Sequence, residues 1–92
     1  MLDIESCIAL SGLTEEEIEA IVEHEHIPEM LAVELGAYLV QLPDGQKRIR
    51  RIIADDIAVA RKRGDLARVA RLKLVLRYFL EHHAAAQPAS RA

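Results

Sequence analysis

The residues in this sequence best suited to binding a metal lie in one acidic stretch of its first half. Glu19, Glu23 and His26 are spaced i, i+4 and i+7, so they share one face of an α-helix. Glu23 and His26 also read Glu-x-x-His, the spacing by which helical bundles place a carboxylate and an imidazole on one metal ion. Iron, manganese and zinc accept such ligands. The spacing therefore raises the hypothesis of a metal centre, of the di-iron carboxylate type in its most complete form.

Two further carboxylates would complete this metal centre. Glu34 lies in a mainly apolar segment, and Asp56 projects from the middle of an apolar helical face. A carboxylate in such surroundings must find a partner or become neutral. Ferritin-like di-iron sites need the Glu-x-x-His motif twice, whereas this sequence contains it once. The hypothesis consequently requires a symmetric dimer in which a second copy supplies the other half of the site.

Each of these residues also has an ordinary structural interpretation. Glu23 fits a solvated helix end that frays, and His26 fits a side chain that caps or shields the junction before Pro28. Glu34 fits a narrow polar strip or an arginine pair, and Asp56 fits a carboxylate held by an arginine or by backbone. The sequence contains no Gly-rich phosphate loop and no nucleophile motif. We therefore predict no catalytic residue.

Charge is divided almost completely between the two halves of the chain. Residues 1–46 contain 11 acidic residues and no Lys or Arg, whereas residues 47–92 contain 12 basic and 4 acidic residues. The halves carry −11 and +8, which sum to the net charge of −3. Four of the bases crowd the first turns of a predicted helix, where the helix dipole disfavours positive charge by about 0.3 to 1 kcal/mol each. We name this set the basic cluster: Lys47, Arg48, Arg50 and Arg51.

The basic cluster predicts a negative surface opposite it. The candidates are the acidic first helix of the same chain, that helix on a second copy, and an external polyanion. Nucleic acid is disfavoured, because the net charge is negative and no aromatic residues interleave with the arginines. Residues 15–41 have the outline of a helix–turn–helix, but a recognition helix bearing Glu29 and Glu34 and no base would repel phosphate. We therefore expect an acidic protein surface.

Four helices are predicted to position these groups. Thr14 and Glu17 read as a capping box that begins the first helix at Glu15. This helix should end near residues 24–27, because Pro28 forces the residue before it out of helical geometry. The other helices are predicted over Pro28 to about Gln41, after the cap Asp44 to about Lys62, and over Leu66 to about His83.

The packing of these helices follows from their apolar faces. The second helix is strongly polar at only three positions, which is typical of a helix that is central in its fold. The third and fourth should form an antiparallel hairpin, since Gly64 and Asp65 mark a helix stop and restart between them. Leu74 and Tyr78 lie on a side of the fourth helix that this hairpin cannot cover, so we expect them in an interface.

The composition places these helices in one small domain. Of the 92 residues, 14 are Ala and only three are aromatic, which favours closely packed helices around an aliphatic core. Cys7 stands alone, which excludes an internal disulfide and fits a reducing compartment such as the cytoplasm. The first ten residues lack the basic start of a secretory signal. The longest charge-free run has nine residues, far fewer than the roughly 20 needed to span a bilayer.

These observations predict an all-α, four-helix domain over residues 1–83 with a C-terminal antiparallel hairpin, and a mobile tail over residues 84–92. Residues 2–10 are expected to add a short helical turn. The predicted function is a small, cytoplasmic, non-enzymatic interaction or assembly module that acts as a homodimer, offers a surface to a protein partner and makes no membrane contact. Its interface residues are the basic cluster together with Leu74 and Tyr78. The alternative is a helical dimer that binds iron, manganese or zinc through Glu23, His26, Glu34 and Asp56.

Overall fold

The computed structural model describes residues 3–87, and the regular structure in this range is entirely helical. Short turns join five α-helices, and a single 3-10 helix closes the series. The α-helices are α1 (Ile4–Ser11), α2 (Glu15–Glu25), α3 (Glu29–Val40), α4 (Pro43–Lys62) and α5 (Leu66–His82), and the 3-10 helix spans Ala84–Ala86. The predicted all-α class is confirmed.

Local signals set the two ends of α2. The Thr14 hydroxyl accepts a hydrogen bond from the amide of Glu17 at 3.2 Å, and the Glu17 carboxylate accepts one from the amide of Thr14 at 2.8 Å. This reciprocal pair is the predicted capping box. At its other end α2 stops where His26 takes a left-handed conformation, two residues before Pro28. Both ends therefore lie where the sequence predicts them.

The first helix, α1, is longer than the short helical turn that the sequence predicts for this region. In place of a short turn, eight residues form an α-helix, which brings the α-helices of residues 3–87 to five rather than four. The Asp3 carboxylate caps the helix by accepting a hydrogen bond from the amide of Ser6 at 2.8 Å. An isolated helix of this length is unstable in water, so its packing on α3 is needed to form it. Its side chains reach the core through Ile4, Cys7 and Ile8.

The helix α4 has the most neighbours in the fold. It packs against α2, α3, α5 and the 3-10 helix, and its residues Ile49, Ile52 and Ile53 are at most 2% exposed. The helix α3, which the sequence predicts to be central, is buried on one side only. On its other side Leu31 and Tyr38 are 50% and 65% exposed. The apolar residues of α3 surround the helix, and no neighbour in the described chain covers that outer side.

The helices α4 and α5 pack along each other as a hairpin, and the chain folds back over it. Arg50 Nη1 donates a hydrogen bond to the carbonyl of Ala86 at 2.8 Å, and Ala86 is fully buried. The 3-10 helix at Ala84–Ala86, which the sequence assigns to the start of a mobile tail, thus packs against α4 and α5. Residues 88–92 of that predicted tail lie outside the described residues.

The described chain forms a flat molecule, with extents of 41 × 37 × 17 Å. Most helices consequently have one side in contact with solvent. Within residues 3–87, no helix has both the length and the apolar character required to cross a bilayer.

Candidate functional site

A polar cleft of about 660 Å³ opens where the end of α2 meets α4 and the start of α5. It combines acidic, basic and imidazole groups with two aliphatic side chains. The lining residues are Glu23, His24, His26, Asp56, Val59, Ala60, Arg63, Asp65 and Arg68. Three of the four predicted metal ligands therefore line one cleft. The fourth, Glu34, is exposed on α3 and does not line it.

Asp56 is the buried acidic group of this cleft. It is only 8% exposed, as its position on the apolar face of α4 predicts. The sequence also predicts an arginine or backbone partner, but Oδ2 is buried without any hydrogen-bond partner among the described residues. Burial raises the pKa of Asp56 to about 6, and the nearby His24 imidazole opposes this rise only in part. The charge of Asp56 therefore changes near neutral pH.

His24 joins α2 to α4 beside Asp56. Its Nδ1 lies 2.6 Å from a carboxylate oxygen of Glu25, and its Nε2 lies 3.0 Å from a carboxylate oxygen of Asp55. A neutral imidazole carries one N–H, so both contacts are hydrogen bonds only when the ring is protonated. Burial disfavours the protonated ring, but the hydrogen bonds to Glu25 and Asp55 outweigh burial and raise the pKa of His24. The protonated ring thus links two helices.

Two arginines add further links between α2 and the hairpin. Arg68 of α5 forms an ion pair with Glu23, and a guanidinium nitrogen of Arg48 in α4 lies 3.5 Å from a carboxylate oxygen of Glu25. The acidic end of α2 is therefore opposed by bases from the other half of the same chain. Both pairs are partly exposed to solvent, so each contributes about 0 to 1 kcal/mol.

The other members of the basic cluster differ from Arg48. Arg50 donates to the carbonyl of Ala86 and so holds the folded-back end of the chain. Lys47 and Arg51 are exposed and form no ion pair within residues 3–87. An anion-facing or interface role for these two residues stays a prediction.

The metal hypothesis finds no complete site within one chain. His26 lines the cleft with a φ of 55°, a conformation in which non-glycine residues are uncommon. Among residues 3–87, no group of three or more His, Cys, Asp or Glu side chains is arranged to hold a metal ion. The hypothesis assigns the other half of the site to a second copy, so it stays a prediction. Elemental analysis of untagged protein grown with added metal tests it.

A second and more apolar groove, of about 420 Å³, lies between the start of α2 and α5. Both predicted apolar interface residues line it, and Leu74 is 66% and Tyr78 47% exposed. The Tyr78 ring stacks on the His82 ring with a centroid separation of 3.9 Å. The complete lining is Thr14, Glu16, Arg71, Leu74, Val75 and Tyr78.

The sequence does not predict site roles for His24, Asp55 and Arg68, although His24 and Arg68 line the cleft and Asp55 contacts His24. The contact between His24 and Asp55 spans 31 positions, and that between Glu23 and Arg68 spans 45, so no local spacing reveals them. One signal could have located the site: Asp55 and Asp56 are adjacent acids in a half of the chain that is otherwise strongly basic.

Comparison with known proteins identifies no relative for this chain. No protein-family model, no curated protein and no solved structure matches it. The function must therefore be argued from the geometry of the two concave surfaces.

Proposed function

We propose that this chain is a non-enzymatic assembly module that acts as a cytoplasmic homodimer through the groove between α2 and α5. The observation that carries the proposal is the exposure of Leu74 and Tyr78, at 66% and 47%, in one groove. Single exposed apolar residues are ordinary. Two large exposed apolar side chains that share a groove with the buried Val75 are typical of a protein interface, where tyrosine is enriched.

The charges beside the groove suit a second copy of the chain. Glu16 lines it from α2 and Arg71 from α5. Neither side chain forms an ion pair within the part of the chain that the structure describes. In a twofold dimer the same surface meets itself, so Glu16 of each protomer can face the partner's Arg71. In a homodimer the start of α2 would then form ion pairs with α5 of the partner, as the end of α2 does with α4 and α5 of its own chain.

The size of the domain supports association. A domain of 92 residues buries a smaller fraction of its surface than a large one, and this domain is only 17 Å thick. Burying apolar surface in a dimer contributes roughly 25 cal/mol per Å² before the cost of association is subtracted. Cys7 is a free thiol packed against the core, which suits the reducing cytoplasm.

Sedimentation velocity tests the proposal. The wild type should sediment as a dimer, and Tyr78→Glu should dissociate it, because the groove would then bury a carboxylate without a partner. Tyr38→Glu is the matched control, since Tyr38 is 65% exposed on α3 and does not line the groove. That variant should remain dimeric. A wild type that stays monomeric at high concentration contradicts the proposal, as does a Tyr38→Glu variant that dissociates as readily as Tyr78→Glu.

A further inference from the structure

One carboxylate in the polar cleft forms no ion pair within residues 3–87, although His24 and Arg68 lie near enough to affect its pKa. Glu23 is paired with Arg68, and Asp55 contacts His24 at 3.0 Å. Asp56 is only 8% exposed, and its Oδ2 has no hydrogen-bond partner among the described residues, yet the residue lines a cleft that is open to solvent. Buried polar atoms nearly always have a partner. A hydrogen-bond donor entering the cleft would supply one.

An organic ammonium group suits Asp56 better than a metal ion does. A divalent metal ion requires several protein ligands at once, and no three such side chains converge within residues 3–87. An ammonium group carries a positive charge and three N–H donors, so one carboxylate in a polar cleft can bind it. Asp65 lines the same cleft and adds negative charge there, whereas Glu23 is paired with Arg68.

Arg63 provides a second charged contact in the cleft. It lies seven residues after Asp56, about 10 Å further along the axis of α4. Arg63 is exposed and forms no ion pair within residues 3–87. Val59 and Ala60 come between the two charged residues in sequence and line the same cleft. A carboxylate on the ligand would match the Arg63 guanidinium, since charged hydrogen bonds of this kind are strong.

We infer that the cleft binds a small organic zwitterion, with its ammonium group on Asp56, its aliphatic chain along Val59 and Ala60, and its carboxylate on Arg63. Linear ω-amino acids are the class whose charged ends are far enough apart for this arrangement. Helical side chains lean toward the N-terminus of their helix. Arg63 has the longer side chain of the two, so it can reach back toward Asp56 and make the span shorter than the distance between their backbones.

The test uses three probes of equal chain length and the full ¹⁵N-labelled chain at about pH 8, where Asp56 is ionised. The probe 5-aminovalerate carries both charged ends, pentylamine carries only the ammonium group, and valerate carries only the carboxylate. Titration with 5-aminovalerate should shift the amide resonances of Val59 and Ala60 to saturation. Pentylamine should bind about tenfold more weakly, and valerate more weakly still, because each lacks one charged hydrogen bond.

Three variants assign the contacts. Asp56→Asn should weaken binding of 5-aminovalerate by about tenfold or more. Arg63→Gln should make 5-aminovalerate and pentylamine bind alike. Glu34→Gln alters an exposed carboxylate outside the cleft and should bind as the wild type does. Thermal unfolding checks that each variant is folded, and Arg63→Gln, an exposed substitution, keeps the test decisive should Asp56→Asn unfold.

Three results would overturn the inference. The first is the absence of saturable shifts with all three probes. The second is valerate binding as tightly as 5-aminovalerate, which would show that the Asp56 carboxylate does not contribute to binding. The third is a folded Asp56→Asn variant that binds 5-aminovalerate with unchanged affinity.

Discussion

At the scale of single residues, Asp56 places a carboxyl group in the apolar face of α4. Its pKa of about 6 exceeds the ordinary value of 3.8, mainly because of burial. The folded chain therefore holds this proton more tightly than the unfolded chain does. The resulting stabilisation is complete below about pH 4 and is lost as the pH rises through about 6.

Replacing Asp56 with Asn should remove this pH dependence. Asparagine cannot ionise, so Asp56→Asn should avoid the loss of stability that the wild type undergoes between about pH 4 and about pH 8. The difference in free energy of unfolding between the two proteins should change by about 1 to 3 kcal/mol across that range. Urea unfolding at both pH values measures it. Parallel pH profiles for the two proteins would show that Asp56 is not the titrating group.

At the scale of elements, the last turn of α2 is held by charged contacts, whereas its first turns are held by apolar packing. Ile18 and Ile21 are fully buried. The final turn joins Glu23 to Arg68, His24 to Asp55 and Glu25 to Arg48. Salt should therefore act chiefly on the final turn of this helix, whereas pH can act at both ends, because burial raises the pKa of Glu17 in the first turn.

His24→Gln tests this division of α2. The raised pKa of His24 means that its contribution to stability is complete below pH 6.5, its ordinary pKa, and is lost as the pH rises through the higher folded value. The variant should lose about 0.5 to 1 kcal/mol of unfolding free energy at about pH 5.5 and less at about pH 8. Urea unfolding at the two pH values measures the loss. His82→Gln, at the exposed end of α5, is the control, and an equal loss for His24→Gln at both pH values would refute the assignment.

The ends of α2 could be predicted because their signals are local, whereas the predicted cap of α4 was wrong: α4 begins at Pro43 after Leu42, and Asp44 lies inside its first turn. The capping box of Thr14 and Glu17 and the proline at position 28 bound α2 by themselves. The length of α1 could not be predicted from its own residues, because its stability comes from packing on α3. The cleft depends on how α2 lies against α4 and α5, and this register is not encoded in any spacing along the chain. Of the residues that line the cleft, Asp56 is predictable because it interrupts an apolar helical face.

At the scale of the whole molecule, the division of charge serves partly to join the two halves of the chain. Arg48 contacts Glu25 and Arg68 pairs with Glu23, so the internal acidic partner predicted for the basic cluster exists for Arg48. Arg50 has a backbone acceptor instead. The exposed Lys47 and Arg51 remain available for an acidic surface of a second copy.

Charge reversal should separate the roles of Arg50 and Arg51. Arg50→Glu removes the hydrogen bond to Ala86 and should lower the free energy of unfolding by about 1 to 2 kcal/mol. Arg51→Glu should leave stability within about 0.5 kcal/mol and shift dimer toward monomer modestly, chiefly at low ionic strength. Urea unfolding and sedimentation at low and high salt measure the two effects. If the dimer is independent of salt and Arg51→Glu dimerises as the wild type does, Arg51 lies outside the interface.

The position of α4 also determines the order in which the chain can open. Because α4 packs against α2, α3, α5 and the 3-10 helix, unfolding α4 breaks its contacts with all of those elements. The helix α1 packs chiefly on α3, so it can detach while α4 keeps its neighbours. Amide hydrogen exchange should consequently follow two regimes, with fast local opening in α1 and exchange in α4 limited by global unfolding. A protease that cuts after α1 detaches would shorten the chain while leaving α4 protected.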